Sequence, residues 1–261
     1  MRLDGELRRL YGKTRRLLGI LAHKYPHRVQ CNVCEWKGRC FVSDSWHPNT
    51  VCPQCGSQVR HRLLVAAIST LADLGVEKLV QGKRVLHFAP EPLFSRFFVG
   101  AAKEYRSADL FRDDVDMKLD LSNMSGVADT SFDLVIACDV LEHVPDDSAA
   151  LREIHRVLTT DGWAVLTVPQ ADKLVATYRD ETITTPEGRR QAFGQKNHLR
   201  IYGSDFDRLL RAQGFAVTVV DERNFDSSVV IKHVLFPPAL SSHPLATNHR
   251  KVYFARRMGE G

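Results

Sequence analysis

The chain has 261 residues and a formal net charge of +5, with 44% hydrophobic and 26% charged residues. These values argue against a collagen, a coiled coil or a largely disordered chain, and they favour one sizeable domain with a small appendage. No apolar run approaches the roughly 18 residues that a membrane span needs, and the first residues lack the pattern of a secretion signal. We therefore expect a cytoplasmic protein without a membrane span.

The positive charge is concentrated at the N-terminus. The first 30 residues carry eight Lys and Arg residues against two acidic ones, and the rest of the chain is nearly neutral. Leucines at helical spacing from Leu3 to Leu21, with arginines between them, predict a basic amphipathic helix over residues 1–28. A neutral body argues against a broad nucleic-acid groove, whereas the arm leaves room for a local contact with phosphate, an acidic partner or a membrane surface.

Four cysteines follow this arm as two C-x2-C pairs: Cys31 with Cys34, and Cys52 with Cys55. The 17 residues between the pairs match the spacing of a four-cysteine zinc site, in which each pair turns both sulfurs towards one ion. Four thiolates leave no open coordination position, so the zinc would be structural and would supply folding energy to a small segment. Two disulfides or free thiols are the alternative, which a reducing compartment disfavours. We predict a zinc ribbon over residues 29–60.

The remaining domain, residues 61–261, alternates short apolar runs with helical stretches from about residue 82 onwards. This alternation predicts a parallel sheet with helices on both faces. The predicted strands are Arg84–Phe88, Tyr105–Asp109, Met117–Asp120, Phe132–Cys138, Trp163–Val168, Ala216–Val220 and Val252–Ala255. The predicted helices are Ser57–Leu74, Asp146–Leu158 and Ser204–Ala212.

Acidic residues stand where several predicted strands end. Asp109 ends the second strand, Asp120 ends the third, and Asp139 follows the fourth. Ligands of open α/β sheets bind at the carboxyl ends of the strands, and an acid after the second strand can accept both hydroxyls of a ribose. Capping of a loop after the strand is the alternative role for Asp109 and Asp120.

The stretch from Ser131 to Val144, followed by residues 150–158 and 161–169, resembles the class I S-adenosylmethionine-dependent methyltransferases. The similarity covers about residues 82–256. It implies a Rossmann-like α/β fold with a seven-stranded sheet whose last strand inserts antiparallel, here preceded by the small zinc-ribbon segment. A first strand that ends His-Phe-Ala-Pro-Glu behind a cysteine-rich segment resembles a bacterial subgroup of these enzymes.

The resemblance implies S-adenosylmethionine as cofactor and assigns roles at the strand ends. Asp109 would hold the ribose, Asp120 and the backbone of Leu121 the adenine, and residues near Asp139 would wall the methionine end. The first loop departs from the family because it has prolines, which lack an N–H, in place of glycines. Glu91 is therefore expected to accept a hydrogen bond from the cofactor ammonium. The cofactor-binding set is Phe88, Ala89, Glu91, Asp109, Leu110, Asp120, Leu121, Asp139 and Val140.

Residues 170–203 form an insertion at a position that commonly covers the acceptor pocket in class I methyltransferases, so we predict a lid. Within it, Thr185 followed by Pro186 and Glu187 predicts the start of a helix. Methyl transfer requires an aligned nucleophile that often loses a proton. His198 and His143 are the candidate bases, and Arg200 is a candidate clamp for an anionic acceptor. Hydrogen bonding to backbone for His143 and anchoring of the lid for His198 are the alternatives.

The leading hypothesis is methyl transfer to oxygen or nitrogen of a small-molecule, sugar or natural-product acceptor, which the neutral body favours. An RNA methyltransferase that uses the zinc ribbon for recognition is the second hypothesis, since some ribosomal RNA methyltransferases place a four-cysteine module before this fold. A binding module without catalysis is the third, because the first loop lacks glycines. The sequence does not indicate the oligomeric state.

Overall fold

The structure is a computed structural model and describes residues 27–259. The predicted basic helix therefore lies almost entirely outside the described residues. The strands are β1 Val29–Gln30, β2 Lys37–Gly38, β3 Arg84–Phe88, β4 Glu104–Asp109, β5 Met117–Lys118, β6 Phe132–Cys138, β7 Leu158–Thr167, β8 Tyr178–Arg179, β9 Arg200–Ile201, β10 Phe215–Val220 and β11 Val252–Arg257. The α-helices are α1 Val59–Thr70, α2 Val76–Leu79, α3 Pro92–Val99, α4 Asp147–Val157, α5 Pro186–Phe193, α6 Phe206–Ala212 and α7 Ser227–His233.

Seven strands build the central sheet in the order β10-β11-β7-β6-β3-β4-β5. The strands from β3 to β7 pair in parallel, whereas β11 runs antiparallel to both of its neighbours. The predicted α/β class and the predicted antiparallel insertion of the last strand are therefore confirmed. The parallel strands bring the ends of β3, β4, β5 and β6 to one edge of the sheet, where a ligand would bind.

Several predicted elements are shorter in the structure, among them the helix predicted over Ser204–Ala212, which begins at Phe206. The third strand stops at Lys118 because Asp120 turns the chain, accepting hydrogen bonds from the amide of Ser122 at 2.8 Å and from its hydroxyl at 2.7 Å. The first predicted helix ends at Thr70, and a separate 3-10 turn covers Ala72–Leu74. The helix predicted over residues 146–158 is present as α4, capped by Asp146, whose carboxylate accepts a hydrogen bond from the amide of Ala149.

The cysteine segment packs directly on the sheet domain. Cys31 and Phe41 share one buried cluster with Leu63 of α1 and with Val85 and Leu134 of the sheet. A segment this short buries too little apolar surface to be stable alone, so the shared core contributes to its stability. The opposite face of the sheet is covered by a second cluster that includes α4 and α6.

The predicted lid, residues 170–203, has its own structure. Strands β8 and β9 pair antiparallel, and α5 lies between them in the chain. Thr185 caps α5 by accepting a hydrogen bond from the amide of Gly188 at 3.1 Å, and Pro186 occupies the first turn, as predicted. Gly194 ends α5 at a positive φ of 90°, and a Cβ there would come within 2.8 Å of the Trp46 ring. The cysteine segment and the insertion are therefore in contact. Among the helices of residues 27–259, none is long and apolar enough to cross a membrane.

Candidate active site and metal centre

One cavity of about 880 Å³ opens at the carboxyl edge of the sheet. Eight of the nine predicted cofactor-binding residues line it: Phe88, Ala89, Asp109, Leu110, Asp120, Leu121, Asp139 and Val140. The insertion supplies much of the opposite wall through Arg179, Asp180, Glu181, Ile183, Arg189, Asn197, Leu199 and Arg200. This volume lies within the range of about 300–1,000 Å³ typical of small-molecule sites.

Asp109 and Asp120 each use one carboxylate oxygen for the local loop. Oδ1 of Asp109 accepts hydrogen bonds from the amides of Phe111 at 2.8 Å and Arg112 at 3.1 Å. Oδ1 of Asp120 binds Ser122 in the same way. Loop capping and ligand binding are compatible in this geometry, since the second oxygen of each carboxylate has no protein partner among the described residues.

The first loop reaches the cavity by an unusual backbone path. Ala89 has a φ of 46° and Asp139, at the end of the neighbouring strand β6, has a φ of 52°. Non-glycine residues in this left-handed region carry strain, which is concentrated at functional sites. Pro92 is the first residue of α3, where a proline loses no helical hydrogen bond. The prolines therefore shape the loop without disrupting the helix that follows.

A charged cluster lies beside this loop. The Arg60 guanidinium contacts Oε1 of Glu91 at 2.9 Å through Nη2 and Oδ2 of Asp139 at 2.8 Å through Nε. Arg250 lies 3.8 Å from the same Asp139 oxygen, and His61 lies 3.1 Å from Glu91. Burial alone would raise the pKa of Asp139, but the two guanidinium groups lower it to about 2. Burial likewise opposes ionisation of Glu91, yet His61 and Arg60 together hold its pKa below the usual value.

Glu91 does not line the cavity itself, but it keeps one acceptor free. Its Oε2 atom is buried and has no hydrogen-bond partner among the described residues. An unpaired buried carboxylate oxygen is costly, so this atom is suited to accept a hydrogen bond from a ligand. The surrounding residues thus fit a cofactor that carries an ammonium group.

The two candidate bases meet beside Glu142. The rings of His143 and His198 lie 4.9 Å apart between centroids, and the Nε2 atoms lie 4.0 Å and 3.9 Å from Oε1 of Glu142. His143 is partly exposed and lines the cavity, whereas His198 and Glu142 are buried. Burial lowers the pKa of His198 to about 4, and burial next to Asp139 raises the pKa of Glu142 well above its usual value.

Arg200, the candidate anion clamp, lines the cavity, but its guanidinium is directed into the protein. Nη1 donates to the carbonyls of Leu141 and Val144, and Nη2 donates to the carbonyl of Pro145 at 2.7 Å. Nε lies 3.5 Å from a carboxylate oxygen of Asp147. In this structure Arg200 fastens the insertion to the turn after β6, which positions the histidine pair.

The four predicted zinc ligands converge. The sulfurs of Cys31, Cys34, Cys52 and Cys55 all lie within 4.8 Å of one another, and the pairs Cys31–Cys55 and Cys34–Cys52 are 3.7 Å apart. Thiolates about 2.3 Å from a tetrahedral ion are about 3.8 Å from one another, so the spacing fits Zn²⁺. A disulfide requires about 2.05 Å, and all four cysteines are free.

Matched turns position the two cysteine pairs. The amide of Glu35 donates to the carbonyl of Cys31, and the amide of Gly56 donates to the carbonyl of Cys52, both at 2.8 Å. Both donor residues have positive φ, 64° for Glu35 and 78° for Gly56. Each pair therefore lies on the same tight knuckle, as the C-x2-C spacing predicts.

Sequence reasoning did not assign site roles to Arg60, Arg250 and Glu142. Arg60 comes five residues after Cys55 and has the pattern of a surface arginine at a helix start. Arg250 precedes β11, far along the chain from Asp139. The sequence signal for Arg60 is its place shortly after the second cysteine pair. That place does not distinguish a buried arginine from an exposed one.

The chain was compared with known proteins. Residues 96–166, less than half of the chain, match a family model described as a methyltransferase domain. The search of curated proteins found no match. The family match agrees with the predicted methyltransferase class over this part of the chain.

Several solved structures resemble this one. An S-adenosylmethionine-dependent methyltransferase from Mesorhizobium loti is 16% identical, with 73% of this chain and 100% of that chain covered and a TM-score of 0.48. The YcgJ protein from Bacillus subtilis is 16% identical, with coverages of 77% and 100% and a TM-score of 0.49. A 1,6-didemethyltoxoflavin-N1-methyltransferase from Burkholderia thailandensis is 18% identical, with coverages of 74% and 79% and a TM-score of 0.47. Because these three TM-scores are below 0.5, the fold is assigned from the strand order of the sheet and not from the similar structures.

Proposed function

We propose that the protein transfers the methyl group of S-adenosylmethionine to an oxygen or nitrogen of a small-molecule acceptor. The observation that carries this proposal is the single cavity that joins the strand-end acids to the insertion. Asp109, Asp120 and His143 all line this cavity, and His198 packs against His143. Cofactor and acceptor would therefore share one enclosed space, as an in-line displacement requires.

The cofactor would be held by three groups of contacts. The free carboxylate oxygens of Asp109 and Asp120 would bind the ribose hydroxyls and the adenine. Oε2 of Glu91 would accept from the ammonium group, and the N–H groups of Arg60 that do not donate to Gln58 or Glu91 would donate to the carboxylate. Side chains would thus replace the backbone contacts that a glycine-rich loop provides.

Bound S-adenosylmethionine would supply a methyl carbon on a positively charged sulfur: the acceptor's lone pair bonds to that carbon, the carbon–sulfur bond breaks with its electron pair on sulfur to leave a neutral thioether, and the acceptor's proton passes to solvent. The chain's part is to align the acceptor and exclude water. The insertion closes the acceptor end, with Arg200 tying β9 to the turn that carries His143. An acceptor enclosed in this way is small, which disfavours a folded RNA at this site.

The four-cysteine cluster would bind a structural Zn²⁺. Its sulfurs are buried or half-buried and leave no position for a substrate. The ion would stabilise the cysteine segment. This segment places Trp46 against Gly194 of the insertion and leads directly into α1, the helix of Arg60. The ribbon would therefore stabilise the elements that position the active site and take no part in the reaction.

The proposal is tested by calorimetric titration of the zinc-loaded protein with two nucleosides. S-adenosylhomocysteine contains the amino-acid group, whereas 5′-methylthioadenosine lacks it but keeps adenine and ribose. We expect both to bind the wild type, with S-adenosylhomocysteine tighter. Arg60→Met should weaken S-adenosylhomocysteine and leave methylthioadenosine unchanged.

Two results would contradict the proposal. Absence of binding by either nucleoside to a folded, zinc-loaded sample would remove the methyltransferase function. If Arg60→Met weakens the binding of both nucleosides equally, the amino-acid group of the cofactor does not bind beside Glu91. Arg208→Met serves as the control, because that side chain is 77% exposed and lies on α6.

A further inference from the structure

Three ligand atoms converge at the acceptor end of the cavity. Glu142, His143 and His198 each offer one atom, and these atoms all lie within 4.8 Å of one another. Glu142 and His143 belong to the turn after β6, and His198 belongs to the insertion just before β9. The set is therefore assembled from two distant parts of the chain at the wall where an acceptor would bind.

Both imidazole rings are fixed in the orientation that metal ligands adopt. Nδ1 of His143 donates to the carbonyl of Asn197 at 3.2 Å, and Nδ1 of His198 donates to the carbonyl of Phe193 at 3.0 Å. A carbonyl only accepts, so each Nδ1 carries the proton and each Nε2 keeps a lone pair. Metal-ligating histidines almost always donate their second N–H in this way, which fixes the tautomer.

Two of the three ligand groups are buried without a partner. Glu142 is 1% exposed and His198 is 3% exposed. Oε2 of Glu142 and Nε2 of His198 have no hydrogen-bond partner among residues 27–259. Buried polar atoms are nearly always satisfied, so two unpaired atoms within one cluster of three possible ligands indicate that something binds there.

The local charges favour a cation as that ligand. Glu91 and Asp139 are neutralised by Arg60 and Arg250. Glu142, in contrast, has ion-pair distances only to the two histidines within the described part of the chain. The carboxyl group of Glu142 and the two imidazole lone pairs are all electron-pair donors, so together they suit a cation and not an anion.

We propose that Glu142, His143 and His198 bind a divalent transition-metal cation at the acceptor end of the cavity. Two imidazoles and one carboxylate suit ions such as Fe²⁺, Co²⁺ or Zn²⁺ better than Mg²⁺ or Ca²⁺, which prefer oxygen alone. Ligand atoms about 2.0–2.2 Å from such an ion are roughly 3 to 3.5 Å apart, so the side chains close by about an ångström on binding.

The metal site follows from the geometry of the three side chains alone. Its effect on a methyl acceptor rests on the proposed function. Three protein ligands leave coordination positions open, and His143 faces the cavity. An acceptor hydroxyl bound there would have a lowered pKa, as water does on Zn²⁺, and would release its proton to solvent. The site thus favours an acceptor that offers oxygen to the ion.

The test titrates Co²⁺ alone into the zinc-loaded protein, from which any affinity tag has been removed. Zinc saturates the four-cysteine cluster, so added Co²⁺ reports on the second site. We expect one further Co²⁺ per chain, with the weak visible bands of nitrogen and oxygen ligation and without the intense bands of thiolate ligation. Loss of an outer hydrogen-bond partner alone weakens metal binding about 10–100-fold, so Glu142→Gln and His143→Ala should weaken Co²⁺ by at least about 100-fold.

The control variant is His243→Ala, which removes an exposed imidazole that stacks on Trp46. It should bind Co²⁺ as the wild type does. The proposal is overturned if the folded wild type takes up no second ion, or if Glu142→Gln and His143→Ala bind it as tightly as the control. S-adenosylhomocysteine titration of the same samples separates this failure from a failure of the methyltransferase function, because nucleoside binding does not require Glu142.

Discussion

Arg62 is expected to be the strongest single link between the cysteine segment and the sheet domain. Its side chain is completely buried. Nε donates to the carbonyl of His233 at 2.7 Å, Nη1 to that of Ser57 at 2.6 Å, and Nη2 to those of Thr50 at 2.7 Å and Val234 at 3.0 Å. One guanidinium thereby joins both sides of the second cysteine pair to the end of α7.

The perturbation is Arg62→Met, which keeps an apolar stem but leaves four buried carbonyls without their donor. An unsatisfied buried group costs about 1–3 kcal/mol, which gives about 8 kcal/mol at mid-range for four. Burial lowers the pKa of Arg62 to about 10, so removing this buried charge returns about 3 kcal/mol. We therefore expect the free energy of unfolding to fall by about 5 kcal/mol.

The assay is urea unfolding of the zinc-loaded protein, followed by circular dichroism, together with the rate of zinc release to a coloured chelator. Arg62→Lys should retain zinc better than Arg62→Met, because the positive charge near the four thiolates remains, but one ammonium cannot reach all four carbonyls. Arg208→Met is the matched control and should change stability by less than about 0.5 kcal/mol. If Arg62→Met unfolds within that same margin of the wild type, the four carbonyls do not depend on Arg62 and the reasoning fails.

Three further predictions concern the cofactor, the zinc and the pH. Asp109→Asn keeps the Oδ1 acceptor of the loop and changes only the second oxygen, so S-adenosylhomocysteine should bind about 10- to 100-fold more weakly by calorimetry while the exposed Asp113→Asn does not differ from wild type. Cys52→Ser should lose zinc and unfold at lower urea than wild type, because the segment shares its core with α1; metal loss without any change in the unfolding curve would contradict this. Burial lowers the pKa of His87 to about 4 in the folded protein. Between about pH 4 and pH 6.5 the unfolded chain therefore holds a proton on His87 that the folded protein does not. The free energy of unfolding should rise with pH across that window, by up to about 3 kcal/mol. His87→Gln, whose amide can still donate to the hydroxyl oxygen of Tyr105, should flatten that slope in unfolding measured at pH 5 and pH 7, and an unchanged slope would exclude His87 as its source.

Local pattern was sufficient for much of this protein. Two C-x2-C pairs predicted the convergence of four sulfurs, since each knuckle is a turn whose geometry its own residues set. Alternating apolar runs predicted the seven-stranded sheet, and the polar residues at strand ends lie together because parallel strands end at one edge. Thr185 and Pro186 likewise predicted the start of α5 from capping alone.

Only the tertiary structure decided which charged side chains meet. Arg60 and Arg250 come from opposite ends of the domain and converge on Asp139, while His198 reaches Glu142 across the insertion. Arg200 was a candidate anion clamp by residue type, yet its donors go to carbonyls of the turn after β6. Such pairings depend on long-range packing and burial, and a one-dimensional pattern records neither the partner of a side chain nor its distance from water.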